Sequence, residues 1–307
     1  MNGIIADALH TSNALMNEIV DHYLLTKGKM IRPIIVLLSA KMFGEVNSSV
    51  LHAGASLEML HNATLIHDDV VDETKMRRGT PTVNSLWDNH VAVLVGDYFV
   101  SNSLAVGLKT GNANVVSTLS RLGIELSVGE IDQISNARDH VFRQDAYIDM
   151  IRKKTASLFM SCLQIGAETA GAPRREWQSM LRYAELLGLC FQIKDDIFDY
   201  FPQGEIGKPT GNDLREGKVT LPLIYALNNA PAEKALPMRG LLEKEVLTQR
   251  EIEELVTFAR DNGGIDYSFK VMRGMQDEAS AIIAPYPDSE AKQSLIDIFE
   301  FIISRNK

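Results

Sequence analysis

Leu65-Ile66-His67-Asp68-Asp69-Val70-Val71-Asp72-Glu73-Thr74-Lys75-Met76-Arg77-Arg78-Gly79 sets three carboxylates shortly before two adjacent arginines. On a helix Asp68 and Asp72 stand one turn apart on the same side. Asp69 lies three before Asp72, so all three project into one sector of roughly 100°. Like charges clustered on a helix face are mutually destabilising unless a cation sits among them. A hard cation that prefers carboxylate oxygen, carrying a phosphate on its open positions, would supply that charge. Taken alone the stretch reads equally well as a solvated acidic turn. The same pattern returns at Gln192-Ile193-Lys194-Asp195-Asp196-Ile197-Phe198-Asp199, again inside an apolar helical run. The pair is specific where either member is only suggestive.

Outward from the first motif, the pattern over residues 49–72 predicts one helix carrying His61 two turns before Asp68. A lone histidine on an apolar helix is as often a satisfied core group as a ligand, and its alignment with the acids favours a site. Ala63 and Thr64, just beneath Asp68, are small where a ring could sit, which leaves room for something long. Upstream, Gly28-Lys29-Met30-Ile31-Arg32-Pro33 forms a compact basic corner before a helix over 34–43. Cations at a helix N-terminus oppose the macrodipole, and an anion bound there would relieve the conflict.

The rest reads as helices. An amphipathic segment over 4–25 breaks near Thr11-Ser12-Asn13. Further runs cover 89–108, 114–136 with Glu130 and Gln133, and 145–171 with Lys153-Lys154-Thr155 near its start. A helix over 177–200 delivers the second acidic triad to its C-terminal end. There the macrodipole disfavours carboxylates and asks for compensating cations. The glycine-rich stretch 202–222, with Lys208 and Lys218, resembles a flap able to close over phosphate oxygens as much as a plain surface connection. Runs over 250–262 and 288–304 look structural. Strand alternation is absent, so the class is all-α.

The chain has 307 residues, 45% hydrophobic, with no linker or composition shift, and a single domain over 1–307 is expected. A net charge of -9 without a basic tract argues against nucleic acid or an anionic membrane surface as partner. Neither a secretory signal nor an apolar run of membrane-spanning length is apparent, so the cytoplasm is the expected location. Cys162 and Cys190 lack ligand spacing and read as buried small hydrophobes.

With both acidic motifs, the 28–33 corner and the 208–218 loop in hand, the chain resembles the trans-isoprenyl diphosphate synthases, above all the long-chain, octaprenyl- and heptaprenyl-type members. The resemblance implies an isoprenoid-synthase helical bundle around a deep central cavity, acting as a homodimer. It implies magnesium, three ions with diphosphate bound, and condensation of isopentenyl diphosphate with an allylic primer, farnesyl or geranylgeranyl diphosphate. Asp68, Asp69, Asp72, Asp195, Asp196 and Asp199 match the metal-binding aspartates. Gly28, Lys29, Arg32, His61 and Arg78 match the isopentenyl diphosphate pocket. Arg77, Lys154, Thr155, Gln192, Lys208 and Lys218 match the groups on the allylic diphosphate. The aspartates with Lys154 and Lys208 form the implied catalytic set, and Ala63 and Thr64 match positions that set chain length, with Phe99 a candidate for the cavity floor. The long-chain likeness also implies a quinone side chain as destination and hand-over of product to membrane enzymes. A farnesyl or geranylgeranyl synthase is the main alternative. A terpene cyclase is disfavoured by the second aspartate motif, and a regulatory subunit by the intactness of both.

Overall fold

The computed structural model describes residues 1–25, 28, 30–201 and 210–305. In chain order the helices are α1 Asn2–Leu9, α2 Ala14–Leu25, α3 Ile31–Phe43 and α4 Ser48–Val71. A hairpin follows, β1 Met76–Arg77 and β2 Thr80–Pro81, then α5 Val83–Trp87, α6 Asn89–Leu108, α7 Ala113–Arg138 and α8 Gln144–Ile151. After a π-helical turn, Arg152–Ala156, come α9 Ser157–Thr169, α10 Arg174–Trp177, α11 Met180–Phe198, α12 Asn212–Arg215 and α13 Leu221–Asn229. The chain ends with α14 Ala232–Leu242, α15 Gln249–Asp261, α16 Gly264–Ile283 and α17 Glu290–Ser304. The all-α expectation holds apart from the hairpin, whose two-residue strands are too short to show alternation. The break near Thr11 falls between α1 and α2 as expected. The run expected as one helix over 145–171 is divided by the π turn, and the one expected over 177–200 is α11 from Met180, with Trp177 ending the short α10 before it.

The chain forms two compact units: residues 1–124, 158–181 and 288–292 make the first, and 125–157, 182–287 and 293–307 the second. In the first, α4 starts on a side-chain cap, Asn47 accepting from the Val50 amide at 3.0 Å. Its apolar face, Ala55, Met59, Ala63 and Ile66, is buried in one cluster with Ala92, Val95, Phe99 and Val106 of α6 and Ile5 and Leu9 of α1. Small residues let the two long helices approach closely, and truncating such a buried methionine or isoleucine to alanine typically costs about 2–5 kcal/mol. Helix α6 also corrects a sequence expectation. Its length and mean hydropathy of 1.6 suffice to cross a membrane, yet Ala92, Val95, Phe99 and Val106 are spent on the protein core.

In the second unit Leu223, Ala226 and Leu227 of α13 join Ile252, Leu255, Val256 and Ala259 of α15 in a core that also buries Tyr200. Helix α15 opens on a reciprocal capping box between Thr248 and Glu251. The Tyr183 hydroxyl on α11 donates to the Leu295 carbonyl of α17 at 2.8 Å, fixing the helix that carries the second motif. Both cysteines are buried free thiols, as their spacing implied.

Candidate active site

Helix α4 carries the first motif in its last turn. Asp72 caps it, its amide donating to the Asp68 carbonyl at 2.8 Å. Asp68 and Asp72 are half-buried, whereas Asp69 is only 4% exposed. Arg77 donates from Nε and from its terminal nitrogen to Asp69 Oδ1, each at 2.8 Å. Asp69 is engaged by an arginine, and Asp68 and Asp72 keep the helical-turn spacing. Burial raises the Asp69 carboxyl above the usual range, and Arg77 opposes that rise.

Arg78 and Gly79 form the two-residue turn of the hairpin, Arg77 pairing with Thr80. Both have positive φ, 53° and 77°, as a type I′ turn requires. Asn or Gly usually takes the first of these positions, so the arginine there is held against its conformational preference. The backbone of Gly28 lies against its guanidinium; a Cβ at Gly28 would fall 2.6 Å from Arg78 Nη1. Met30, at φ 53°, is the left-handed N-cap of α3 that leads into Arg32. Lys29 lies outside the described residues.

His61 is buried, and burial followed by Arg32, Arg78 and Arg77 holds its pKa well below the ordinary value. It is therefore a neutral imidazole at physiological pH. Glu58, one turn earlier and buried, has an Oε2 with no hydrogen-bond partner. Burial raises its pKa while Arg32 and Arg78 lower it. Its place in this basic pocket was not foreseen, because a lone glutamate in a helix reads as a surface residue, although it stands three before His61. Beside it opens a cavity of about 250 Å³ lined by Tyr23, Gly28, Glu58, Leu65, Arg77 and Arg78. Ala63 is fully buried, while half-buried Thr64 donates its hydroxyl to the His61 carbonyl at 2.8 Å. Phe99, also buried, meets Tyr23 edge-on with ring centres 5.4 Å apart.

In the second unit the motif occupies the end of α11. The Tyr147 hydroxyl donates to Asp196 Oδ2 at 2.5 Å and the Gln192 amide to Oδ1 at 2.8 Å. Thr155 in turn donates to the Gln192 carbonyl oxygen at 2.7 Å, so Gln192 is oriented from both ends. Burial pushes the Asp196 carboxyl up to about 7, against the pull of these donors. Asp199 accepts the amides of Asn212 at 2.8 Å and Asp213 at 3.0 Å and so anchors the start of α12. Asp195 pairs at 2.6 Å with Arg305.

The π turn places Lys153 and Lys154 differently. Lys153 pairs with Asp132 and Asp149, and Lys154 reaches Glu130 at 2.5 Å and Gln133 at 3.2 Å. Such a one-turn π segment often marks a functional position. Gly129 of α7 admits it: a Cβ there would lie 2.9 Å from the Lys154 amide nitrogen. Lys154, Gln192, Asp196 and Lys218 line a second cavity of about 130 Å³. Lys218 pairs with Glu216 at 2.6 Å, and Lys208 lies outside the described residues. Tyr147, Asp213 and Arg305 were missed by sequence reading, since nothing in the sequence around each marks it. Asp213 is held well above the carboxylate range by burial and by Asp196 and Asp199.

Among the described residues no three acidic, histidine or cysteine side chains converge as a metal cage. Magnesium takes one or two carboxylates and completes its shell with water and substrate phosphate. The donors present are hard oxygens.

Residues 13–258 match the family model of polyprenyl synthetases. The chain belongs to this family. It is 34% identical to an all-trans-nonaprenyl-diphosphate synthase (geranyl-diphosphate specific) of Rhodobacter capsulatus, over 99% of this chain and 94% of that one. A polyprenyl synthase from Caulobacter crescentus, solved with calcium and isoprenyl diphosphate, matches 100% of this chain and 94% of its own, with TM-score 0.90 and 30% identity. A geranylgeranyl pyrophosphate synthase from Bacteroides thetaiotaomicron matches 95% of this chain and 93% of its own, with TM-score 0.84 and 38% identity. The synthase is thus a prenyltransferase of the trans-polyprenyl diphosphate type, on that family's helical fold.

Proposed function

We propose that this synthase condenses isopentenyl diphosphate with an allylic diphosphate and repeats the step to a long all-trans polyprenyl diphosphate. The observation that carries the reading is the pair of acidic motifs at the ends of α4 and α11, each with basic or hydrogen-bonding side chains of its own unit on its carboxylates. Asp68, Asp69, Asp72, Asp195, Asp196 and Asp199 take the metal in this reading, with Arg77 on Asp69, Tyr147 and Gln192 on Asp196, the α12 amides on Asp199 and Arg305 on Asp195 holding their carboxylates in place. The calcium and isoprenyl diphosphate of the Caulobacter relative support metal and substrate class. Magnesium, three ions in this reading, would supply positive charge to the departing diphosphate when bound.

The chain's own groups do the rest. Arg32, neutral His61 and Arg78, with Gly28 and Lys29, take the isopentenyl diphosphate. Arg77, Lys154, Thr155, Gln192, Lys208 and Lys218 take the allylic diphosphate. Fixed cations stabilise charge that develops as the allylic C–O bond opens, and because they are already in place they do so with little reorganisation. Positioning of the isopentenyl double bond supplies much of the remaining acceleration. The departing diphosphate serves as base, since no protein group is needed for the final proton.

The nonaprenyl relative supports a long product, a quinone side chain passed to membrane enzymes being its destination in this reading. A single catalytic domain, a cytoplasmic location and a homodimer complete it; exposed Val128, Ile131 and Ile134 on α7 support a second copy as partner. The Bacteroides geranylgeranyl synthase favours a second reading, a shorter product. Incubation with magnesium, labelled isopentenyl diphosphate and farnesyl diphosphate, then chromatography of dephosphorylated products, tests both. Products beyond geranylgeranyl are expected, a geranylgeranyl stop favours the second reading, and no incorporation defeats both.

A further inference from the structure

The C-terminal end of α11 gathers Asp195, Asp196 and Asp199 where the helix dipole already disfavours negative charge. The compensating cation that this demands is Arg305, just beyond α17. Its side chain is 8% exposed, and a terminal nitrogen donates to Asp195 Oδ1 at 2.6 Å and to the Phe191 carbonyl at 3.3 Å. The guanidinium lies 4.7 Å from the ring centre of Phe191 and 5.3 Å from that of Phe198, both on the same helix as the motif. Arg305 Nε is buried without a hydrogen-bond partner. A guanidinium kept from water, stacked by two rings and leaving one donor unmet, is held there for what its other nitrogen does. That nitrogen fixes one oxygen of Asp195, whose side chain is still 41% exposed.

We propose that Arg305 is a positioning residue for the second acidic motif. It holds Asp195 in one orientation, so that the carboxylate meets a divalent cation without first being ordered. The aromatic clamp makes this a fixed support rather than a mobile latch. A guanidinium on rings at 4.7 and 5.3 Å forfeits cation–π attraction and burial if it swings out. Groups that hydrogen-bond a ligating carboxylate commonly matter 10–100-fold, roughly, to metal affinity. The inference rests on the assignment of Asp195 to the metal.

The test is Mn2+ binding to the full chain in the presence of inorganic pyrophosphate, followed by the electron paramagnetic resonance of the free ion. Four variants are compared: Arg305→Gln, Arg305→Lys, Asp195→Asn, and Arg305→Gln combined with Asp195→Asn. Arg305→Gln is expected to weaken Mn2+ about tenfold and Arg305→Lys by less than about threefold. In the Asp195→Asn background Arg305→Gln should have no further effect, which a merely structural role would not produce. If Asp195→Asn leaves Mn2+ binding unchanged, the metal assignment fails and the inference with it. If Asp195→Asn weakens binding but Arg305→Gln leaves it equal or tighter, the positioning role alone is overturned, and equal losses in Arg305→Gln and Arg305→Lys overturn it too. Should Arg305→Gln not fold, Phe198→Leu decides: weaker Mn2+ binding is expected, and unchanged binding rejects the clamp.

Discussion

Arg77 and Asp69 are bound to one another through two contacts of 2.8 Å while half-buried Asp72, three residues along, caps the helix. The two aspartates should therefore fail differently. Asp69→Ala leaves a guanidinium about two-thirds buried beside an empty carboxylate position and is expected to cost about 2 kcal/mol of stability. Asp72→Ala leaves no buried guanidinium behind, so it should cost less stability than Asp69→Ala and abolish most turnover. Thermal melts of both variants alongside steady-state rates check the split, and equal melting losses would refute it.

The turn at Arg78 separates backbone from side chain. Because its φ of 53° suits glycine better, Arg78→Gly is expected to leave stability unchanged or raise it by up to about 1 kcal/mol. The same change removes the guanidinium assigned to isopentenyl diphosphate, so KM for that substrate should rise at least about tenfold, one charge-assisted contact being worth roughly 1.5–3 kcal/mol. A folded Arg78→Gly enzyme with unchanged KM would displace Arg78 from the pocket.

Chain length calls for different treatment of two neighbours. Ala63 is packed at 0% exposure among Met59, Ile66 and Phe99, so Ala63→Phe must force that core apart at about 1–3 kcal/mol or more. Thr64 is only half-buried and can accept bulk without the same overpacking. Thr64→Phe is expected to shorten the product while keeping the melting temperature within a few degrees. Product chromatography checks this, and an unshortened product from a folded variant would remove residue 64 from the cavity wall.

Much of this was legible in the sequence because helical spacing is a local property. The ends of α4 and α6, the break before α2 and the positions of both motifs follow from period and caps. What stayed hidden depends on contacts distant in sequence. Tyr147 lies 49 residues from Asp196 and Arg305 110 from Asp195, and no local pattern couples them. The π turn at Lys154 escaped notice for a related reason. It exists where Gly129 of another helix lets the backbone in, and the sequence 152–156 alone is compatible with an ordinary α-turn.

The buried acid at Asp196 gives the pH dependence. Its carboxyl is raised from the ordinary aspartate value to about 7, so the folded state holds a proton that the unfolded chain has lost. For a raised carboxyl the stabilisation is fully present below the unfolded value, near 4, and is lost as pH rises through about 7. Asp213, also raised, acts in the same direction, whereas His61, held low, favours the folded state above its ordinary pKa. Comparison with Asp196→Asn isolates the first group because the others remain. Metal-free wild type is expected to lose more melting temperature between pH 5 and 8 than Asp196→Asn does, since the asparagine can still accept from Tyr147 and does not titrate. Parallel melting curves across that interval would show that Asp196 ionises near its ordinary value and that Tyr147 and Gln192 outweigh its burial.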